Sequence, residues 1–346
     1  MFIVLGNSLA GSLSDYFTAQ VNNDPEVMLL KSSIGKYSAG QAFSEFIPPS
    51  NDAINGKPVV FIQSLGSVDD HSSNDYAMQT LEAVAELKRD GASSVWVIAP
   101  YSGFARQDRR VKDRHVSIAA DTFAKVLKAA GADGFSTVDI HSEGGANWFK
   151  NHFGEQGFYD LSPNQLFADY IQSELGVDNL IVGGPDAGAD ERSENLAEIL
   201  GVEKFQIRKE HTGVNDTRTT GFVGDVKGYR TLTRDDEVDT GGTAANAQKL
   251  LMEQGAVARY FTAAHGVFSQ NGLERLFTAK SGEGRVLDKI IVTDSIDQDL
   301  NLMRLRKQYG QIEDMSRVKV LSLGPMLWQH IKNDIAFNPI MSMEAG

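Results

Sequence analysis

Short apolar runs alternate along the chain with longer stretches whose apolar residues recur at helical spacing. From residue 59 the order is "VVFIQSL", "NDYAMQTLEAVAELKRDG", "VWVIAPY", "SIAADTFAKVLKAAG" and "GFSTVDIH". Compact apolar runs bounded by turn residues predict strands, and a 3.6-residue period predicts helices. The opening "MFIVLGNSLAG" reads as a further buried strand. From residue 162 the grammar repeats as "SPNQLFADYIQSELG", "NLIVGGPD", "RSENLAEILG", "TAANAQKLLMEQG", "VARYFTAAHG" and "DKIIVTDSI". Strands alternating with helices predict an α/β fold of two similar units, each built round a mainly parallel sheet flanked by helices. Ser162 before Pro163 suits a helix start, and Gly91, Gly131, Gly176, Gly201 and Gly255 each stand where a helix should stop. Glycines interrupt the pattern in "SEGGANWF", residues 142–149, which marks the expected seam. The expected division is 1–146, 147–320 and a C-terminal helix and tail, 321–346, that packs back on the first domain and frays at "FNPIMSMEAG".

Length and composition agree with this picture. A chain of 346 residues is long enough for two cores, and 41% hydrophobic with 23% charged residues is ordinary for a globular protein. No apolar run reaches bilayer length, so a membrane role is not expected. The first residues lack the basic region of a secretory signal, which makes the cytoplasm the expected compartment. A net charge of -13 argues against nucleic acid as a partner, because counterion displacement needs clustered Lys and Arg. The absence of cysteine excludes disulfides, thiolate metal sites and cysteine nucleophiles.

Candidate chemistry concentrates in "DDEVDTGGTAANAQKLL", residues 235–251. The stretch has the layout of a strand end leading into a helix, where ligands gather in α/β sheets. Gly241 and Gly242 let backbone N–H groups converge on an anion, Thr240 and Thr243 add hydroxyl donors, and the helix dipole favours negative charge there. No lysine follows the glycines, so this is not a Walker loop. Asp235 and Asp239 suit the vicinal hydroxyls of a phosphorylated sugar. An acidic turn followed by a capped helix fits the same residue types, and the types alone leave both readings open.

"DDEVDTGGT" resembles the phosphoribosyl-pyrophosphate (PRPP) loop of type I phosphoribosyltransferase-like proteins. Four further segments occur in the order seen in the ribose-phosphate pyrophosphokinase, or PRPP synthetase, family. They are "APYSGFARQDRR", "VDIHSEGGANWF", "GGPDAGADERSENLA", and "AAHGVFS" with "IVTDSI". The resemblance runs from Gly6 to Leu321 and implies two phosphoribosyltransferase-like domains. It implies ATP and ribose 5-phosphate as substrates, a Mg2+ cofactor and a homo-oligomer, hexamer or dimer, whose ATP site borrows residues from a neighbour.

Residue by residue, it implies that Arg106, Gln107 and Asp108 contact ATP, as would the segment Tyr37, Ala39, Gly40 and Gln41. It implies His141 and Asp186 as metal positions, Lys209 as the catalytic residue, and His211, Asp235, Asp239 and residues 240–243 as the ribose 5-phosphate site. Physical arguments run beside these. Arg106, Arg109 and Arg110 form a dense basic site in an acidic chain, and guanidinium groups suit phosphate oxygens and adenine stacking. His141 ends a predicted strand near Asp139, where a half-buried histidine is the ordinary alternative to a magnesium ligand.

Two segments depart from the family pattern. "FQIRKEHTGVNDTR" keeps Lys209 but places Glu210 and His211 where the family has arginines, and histidine cannot form arginine's fork. "YSAGQ" replaces Phe-Ser-Asp-Gly-Glu, so Ala39 and Gln41 have lost two carboxylates while Tyr37 keeps a ring that stacks on a base. The leading expectation is an active diphosphokinase. A non-catalytic regulatory paralogue and a PRPP-consuming phosphoribosyltransferase are the alternatives.

Overall fold

The computed structural model describes every residue except 51, 69, 111–114, 186–188, 212–216, 310–314, 339 and 341–346; at 190, 208–211 and 217–223 only the backbone is described. The chain forms two compact units. One comprises Met1–Leu161, Asp294–Asp297 and Ser322–Gly346, and the other comprises Ser162–Thr293 and Gln298–Leu321.

The first unit is built on a six-stranded sheet. Its spatial order is Met28–Leu29, Phe2–Leu5, Pro58–Ile62, Ser94–Ala99, Gly134–Val138 and Phe158–Leu161, and every pairing is parallel. Ser94–Ala99 and Gly134–Val138 are buried at every position. A strand covered on both faces reads as a continuous apolar run, as 95–99 does, whereas Gly134–Val138 buries Ser136 and Thr137 beside Phe135 and Val138. Helices Ser73–Arg89 and Ala119–Ala130 supply Val84, Leu87, Phe123 and Leu127 to the core. Phe135 stacks on Phe149 at 4.5 Å between ring centroids, and Phe158 continues that stack 5.5 Å from Phe149.

The second unit has a seven-stranded sheet in the order Thr217–Val223, Glu203–His211, Leu180–Gly184, Arg230–Val238, Ala258–Gly266, Lys289–Thr293 and Val318–Leu321. Only the edge pair, Glu203–His211 with Thr217–Val223, is antiparallel. Leaving out that edge strand, both sheets run second, first, third, fourth, fifth, sixth in chain order. This is a doubly wound order, and its switch point lies between the first and third strands.

Helix starts and stops follow the expected chemistry. Ser72 and Asp75 form a reciprocal capping box on Ser73–Arg89. Gly131 and Gly201 adopt left-handed C-cap geometry. The expected cap at Ser162 is shifted by one residue: Pro163 is the N-cap of the helix Asn164–Tyr170, no side chain caps it among the described residues, and Ser162 Oγ accepts from Asn164 N at 3.4 Å.

Residues 142–149, read as an interruption, instead open the helix Glu143–Phe153. Ser142 caps it by accepting from Gly145 N at 2.9 Å. Gly144 packs closely on Asp108, since a Cβ there would meet Asp108 Oδ2 at 3.1 Å and require a shift of a few tenths of an ångström. The hairpin Lys31–Lys36 with Ala42–Ile47 and the antiparallel edge strand of the second sheet have no counterpart in the predicted elements. No helix among the described residues is long and apolar enough to cross a membrane.

Candidate functional site

In the second unit the third strand, Arg230–Val238, ends at the switch point and delivers Asp235 and Asp239 there. Asp235, Asp239 and Thr240 are half-buried, Gly241 is buried and Thr243 is exposed. Gly241 takes φ 75° and forms the N-cap of the helix Gly242–Glu253. Among the described residues no side chain caps this helix. Its first N–H groups lack intrahelical partners by construction, so they are available to an anion.

The segment that follows the fourth strand braces the loop from outside. Phe268 N donates to Val238 O at 3.0 Å, Ser269 Oγ donates to the Asp239 carboxylate, and Arg275 Nη1 donates to Thr240 O at 2.6 Å. A Cβ on Gly272 would stand 2.0 Å from Asp239 O, and one on Gly241 2.7 Å from Gly272 O. Backbone therefore packs on backbone. Phe268, Gln270 and Asn271 hold φ of 49°, 51° and 62°, a left-handed region that costs about 1–3 kcal/mol for a residue with a side chain. That strain sits where the brace meets the loop.

The corresponding switch point of the first unit is filled by its own chain. Ser64 Oγ donates to Ser295 O at 2.5 Å, Ser8 Oγ donates to Ser64 O at 2.6 Å, and Ile296 lies where a Cβ on Gly66 would be 2.5 Å away. The first unit instead offers the ends of its fourth and fifth strands. After Ser94–Ala99 the chain forms the turn Phe104–Arg106, leaving Arg106, Gln107, Arg109 and Arg110 exposed.

Asp108 is engaged within the unit. Its carboxylate accepts from Ser142 Oγ, and its carbonyl accepts from Trp148 Nε1 at 2.7 Å. Gln107 Oε1 accepts from Ser117 Oγ at 3.1 Å. The two Asp108 contacts fasten the arginine segment to the helix that follows His141, and the Gln107 contact ties it to the start of Ala119–Ala130. The backbone at Asp139 turns through φ 48°, Ile140 goes into the core, and His141 is exposed. Ile140 N is held by Asp160 Oδ1 at 2.9 Å. The structure thus brings 106–108 and the His141 turn to the carboxyl ends of the fourth and fifth strands of the first sheet.

A sequence profile described as the N-terminal domain of ribose phosphate pyrophosphokinase matches residues 7–131, and one described as a phosphoribosyl synthetase-associated domain matches 197–319. The ribose-phosphate pyrophosphokinase of Campylobacter jejuni is 30% identical over 93% of this chain and 94% of its own length. This chain belongs to the ribose-phosphate pyrophosphokinase family. That of Bordetella pertussis is 31% identical, over 90% of this chain and 93% of its own. A solved phosphoribosylpyrophosphate synthetase from Mycobacterium smegmatis is 26% identical with a TM-score of 0.77, covering 97% of this chain and 98% of that one. The match extends across both sheets, as the duplicated strand order requires.

Within this family member the remaining expected residues are placed as follows. Tyr37, Ala39, Gly40 and Gln41 form the exposed tip of the hairpin Lys31–Lys36 with Ala42–Ile47. Tyr37 N donates to Gln41 O at 2.8 Å, Gly40 turns at φ 85°, and the Tyr37 ring is 60% exposed, 4.9 Å from Phe43. Lys36 fixes the hairpin by donating to Asp70 O at 2.7 Å and pairing with Asp75 at 3.6 Å. Lys209 and His211 lie on the strand Glu203–His211, opposite Thr219 and Thr217, just after a register shift at Arg208/Lys209. Asp186 lies outside the described residues.

The sequence reading did not find the supporting residues Ser142, Trp148, Ser269, Gly272 and Arg275. Ser142 carried a signal, a serine three residues before Gly145 at a helix start. The others bridge segments remote in sequence.

Proposed function

We propose that this chain transfers the diphosphoryl group of ATP to the 1-hydroxyl of ribose 5-phosphate, giving PRPP and AMP. The observation that carries this reading is the uncapped helix start at 240–243, at the switch point of the second sheet and beside Asp235 and Asp239. Such a start suits the 5-phosphate, and the two carboxylates suit the sugar hydroxyls. Membership of the pyrophosphokinase family, a transferase family, supports it over most of the chain.

In the proposed step the 1-hydroxyl oxygen bonds to the β-phosphorus of ATP. The bond from that phosphorus to the α,β-bridging oxygen breaks and leaves AMP, and the hydroxyl proton passes to solvent. The work is alignment and neutralisation of charge on oxygen, for which Lys209 is the proposed catalytic cation and Arg106 with Gln107 the nucleotide grip. Magnesium prefers oxygen donors and keeps water and phosphate among its ligands. An exposed imidazole at His141, with Asp186, fits an ion carried largely by substrate phosphates. When bound it would neutralise phosphate charge. The family's shared ATP site supports a homo-oligomer, with the hairpin tip at Tyr37 as the segment offered to a neighbour.

A second reading, a non-catalytic regulatory paralogue, is favoured by Ala39, Gln41, Glu210 and His211, which all depart from the family pattern. Purified protein supplied with ATP, magnesium and ribose 5-phosphate should form AMP and PRPP in equal amounts. Binding of nucleotide or PRPP without AMP under any divalent cation would establish the regulatory reading.

A further inference from the structure

Arg234 is fully buried, directly before Asp235 on the third strand of the second unit. Arginine is almost never fully buried unless it is partnered. Here Nε donates to Asn164 Oδ1 at 2.9 Å, Nη1 donates to the carbonyl of Asp235, and the guanidinium carbon lies 4.9 Å over the ring of Phe167. Asn164 is itself buried, and its Nδ2 donates to Arg192 O at 3.0 Å. Alternation along the strand puts Arg234 with Leu232 and Asp236 on one face, and Thr233 with Asp235 and Glu237 on the other. Leu232 and Phe167 belong to one apolar cluster, so the cation is set into a face that an aliphatic side chain would fill.

We infer that Arg234 is a positioning residue for the ribose 5-phosphate site, fixing the peptide at Asp235 and balancing the buried carboxylate of Asp236. Replacing a buried, partnered cation by a hydrophobe of similar volume is often neutral or favourable for stability, so packing alone gives no reason for an arginine here. The hydrogen bond to the Asp235 carbonyl supplies one. It sets the rotation of the peptide joining the sugar-facing Asp235 to Asp236, which is 6% exposed and lies roughly 6.6 Å along the strand from Arg234. Asp236 N in turn donates to Asp235 Oδ1 at 3.0 Å, which ties that carboxylate to the same peptide. On the opposite face the strand is fixed by Gln248 Nε2 donating to Thr233 Oγ1 at 2.8 Å. Asp235 is thus oriented through its own carbonyl by a guanidinium on the opposite face of the strand.

The inference rests on the proposed sugar-phosphate reading of this loop. Its test is calorimetric binding of ribose 5-phosphate, with magnesium and a non-hydrolysable ATP analogue present, to the full chain and to Arg234→Met. The variant should bind about tenfold more weakly, with affinity for the ATP analogue within about twofold of the original, the loss expected when binding at one substrate alone is disturbed. Arg234→Lys, which keeps the charge and loses the fork, should be intermediate. Asn164→Ala, which leaves the arginine and removes its acceptor, should weaken ribose 5-phosphate binding in the same direction and covers the case in which Arg234→Met does not fold. Equal affinity in the folded variants would overturn the role of Arg234 and leave the proposed function standing. Absence of ribose 5-phosphate binding by the unaltered protein would overturn both.

Discussion

The Nε2 atom of His330 lies 2.9 Å from the Oγ of Ser136, joining the buried strand Gly134–Val138 to the helix Gly324–His330. Trp96 Nε1 also reaches Ser136 Oγ, at 2.8 Å, and His330 Nδ1 is 2.7 Å from Asp334 Oδ2. An ionised carboxylate can only accept, so Nδ1 donates to Asp334, and Nε2 of the neutral ring accepts from Ser136 Oγ, which itself accepts from the Trp96 indole N–H. The arrangement has the order of a Ser-His-Asp triad. With Ser136 fully buried and capped by indole, it holds structure together and is closed to substrate.

Burial holds the pKa of His330 below its ordinary 6.5, against the opposing pull of Asp334. The unfolded chain therefore takes up a proton near 6.5 while the folded chain stays neutral to a lower pH. Unfolding binds protons in that window, and stability falls as pH drops below about 6.5. The groups facing the ring are Trp96 through Ser136, the Tyr159 ring at 4.9 Å, and Asp334. Thermal melts from pH 7.5 to pH 5.5 should show a shallower acid loss in His330→Gln than in the unaltered protein. Parallel slopes would assign the loss to other groups.

Asp294 is buried, and desolvation pushes its pKa above the ordinary 3.8, opposed by hydrogen bonds from Leu323 N and Ser12 Oγ. The folded state keeps this proton after the unfolded state has lost it, so the stability contributed by protonated Asp294 declines as pH rises above 3.8. Asp294→Asn keeps an acceptor for Leu323 N and removes the charge. Its melting temperature should equal or exceed that of the parent at pH 8, with the gain shrinking toward pH 5. Asp294→Leu should be destabilised by about 1–3 kcal/mol for the orphaned Leu323 N–H.

Gly272→Ala tests the brace behind the proposed phosphate cradle. Its Cβ would stand 2.0 Å from Asp239 O, so the loop or the helix Gly272–Thr278 must shift. Stability should fall by about 1–3 kcal/mol, typical of overpacking. The KM for ribose 5-phosphate should rise more than the KM for ATP; an equal rise would indicate general loosening.

Ser142→Ala removes an N-cap and frees the Asp108 carboxylate. Loss of the cap costs about 1 kcal/mol. If the strut positions Arg106 and Gln107, the KM for ATP should rise while that for ribose 5-phosphate stays put, and Ser142→Thr should restore both. A fall in stability with unchanged ATP kinetics would limit Ser142 to capping.

Lys209→Ala should lower kcat by orders of magnitude with nucleotide binding nearly intact, and a normal kcat would remove Lys209 from the step. His211→Arg should raise kcat if the missing fork limits turnover. No gain would show that another cation already serves.

Much of the fold was legible because central strands of both sheets, Ser94–Ala99 and Leu180–Gly184, are buried at every position and read as compact apolar runs within "VWVIAPY" and "NLIVGGPD". The hairpin carrying Tyr37 was not. Its strand Lys31–Lys36, "KSSIGK", has no fully buried residue and therefore no apolar signature. Residues 142–149 misled for the opposite reason, since the glycines that ordinarily break structure lie in the first turn of a helix capped by Ser142, with Gly144 close to Asp108. The candidate loop at 235–243 was legible because its chemistry lies in consecutive residues. Arg275, Ser269 and Arg234 were not, because their roles come from partners that the fold delivers.

The first unit needs residues 294–297 and 322–346 as well as 1–161. No single contiguous stretch of the gene encodes it. A stop codon that trims the chain at residue 321 would leave the second sheet whole and remove His330, the partner of Ser136. In translation, the half begun first is the half completed last.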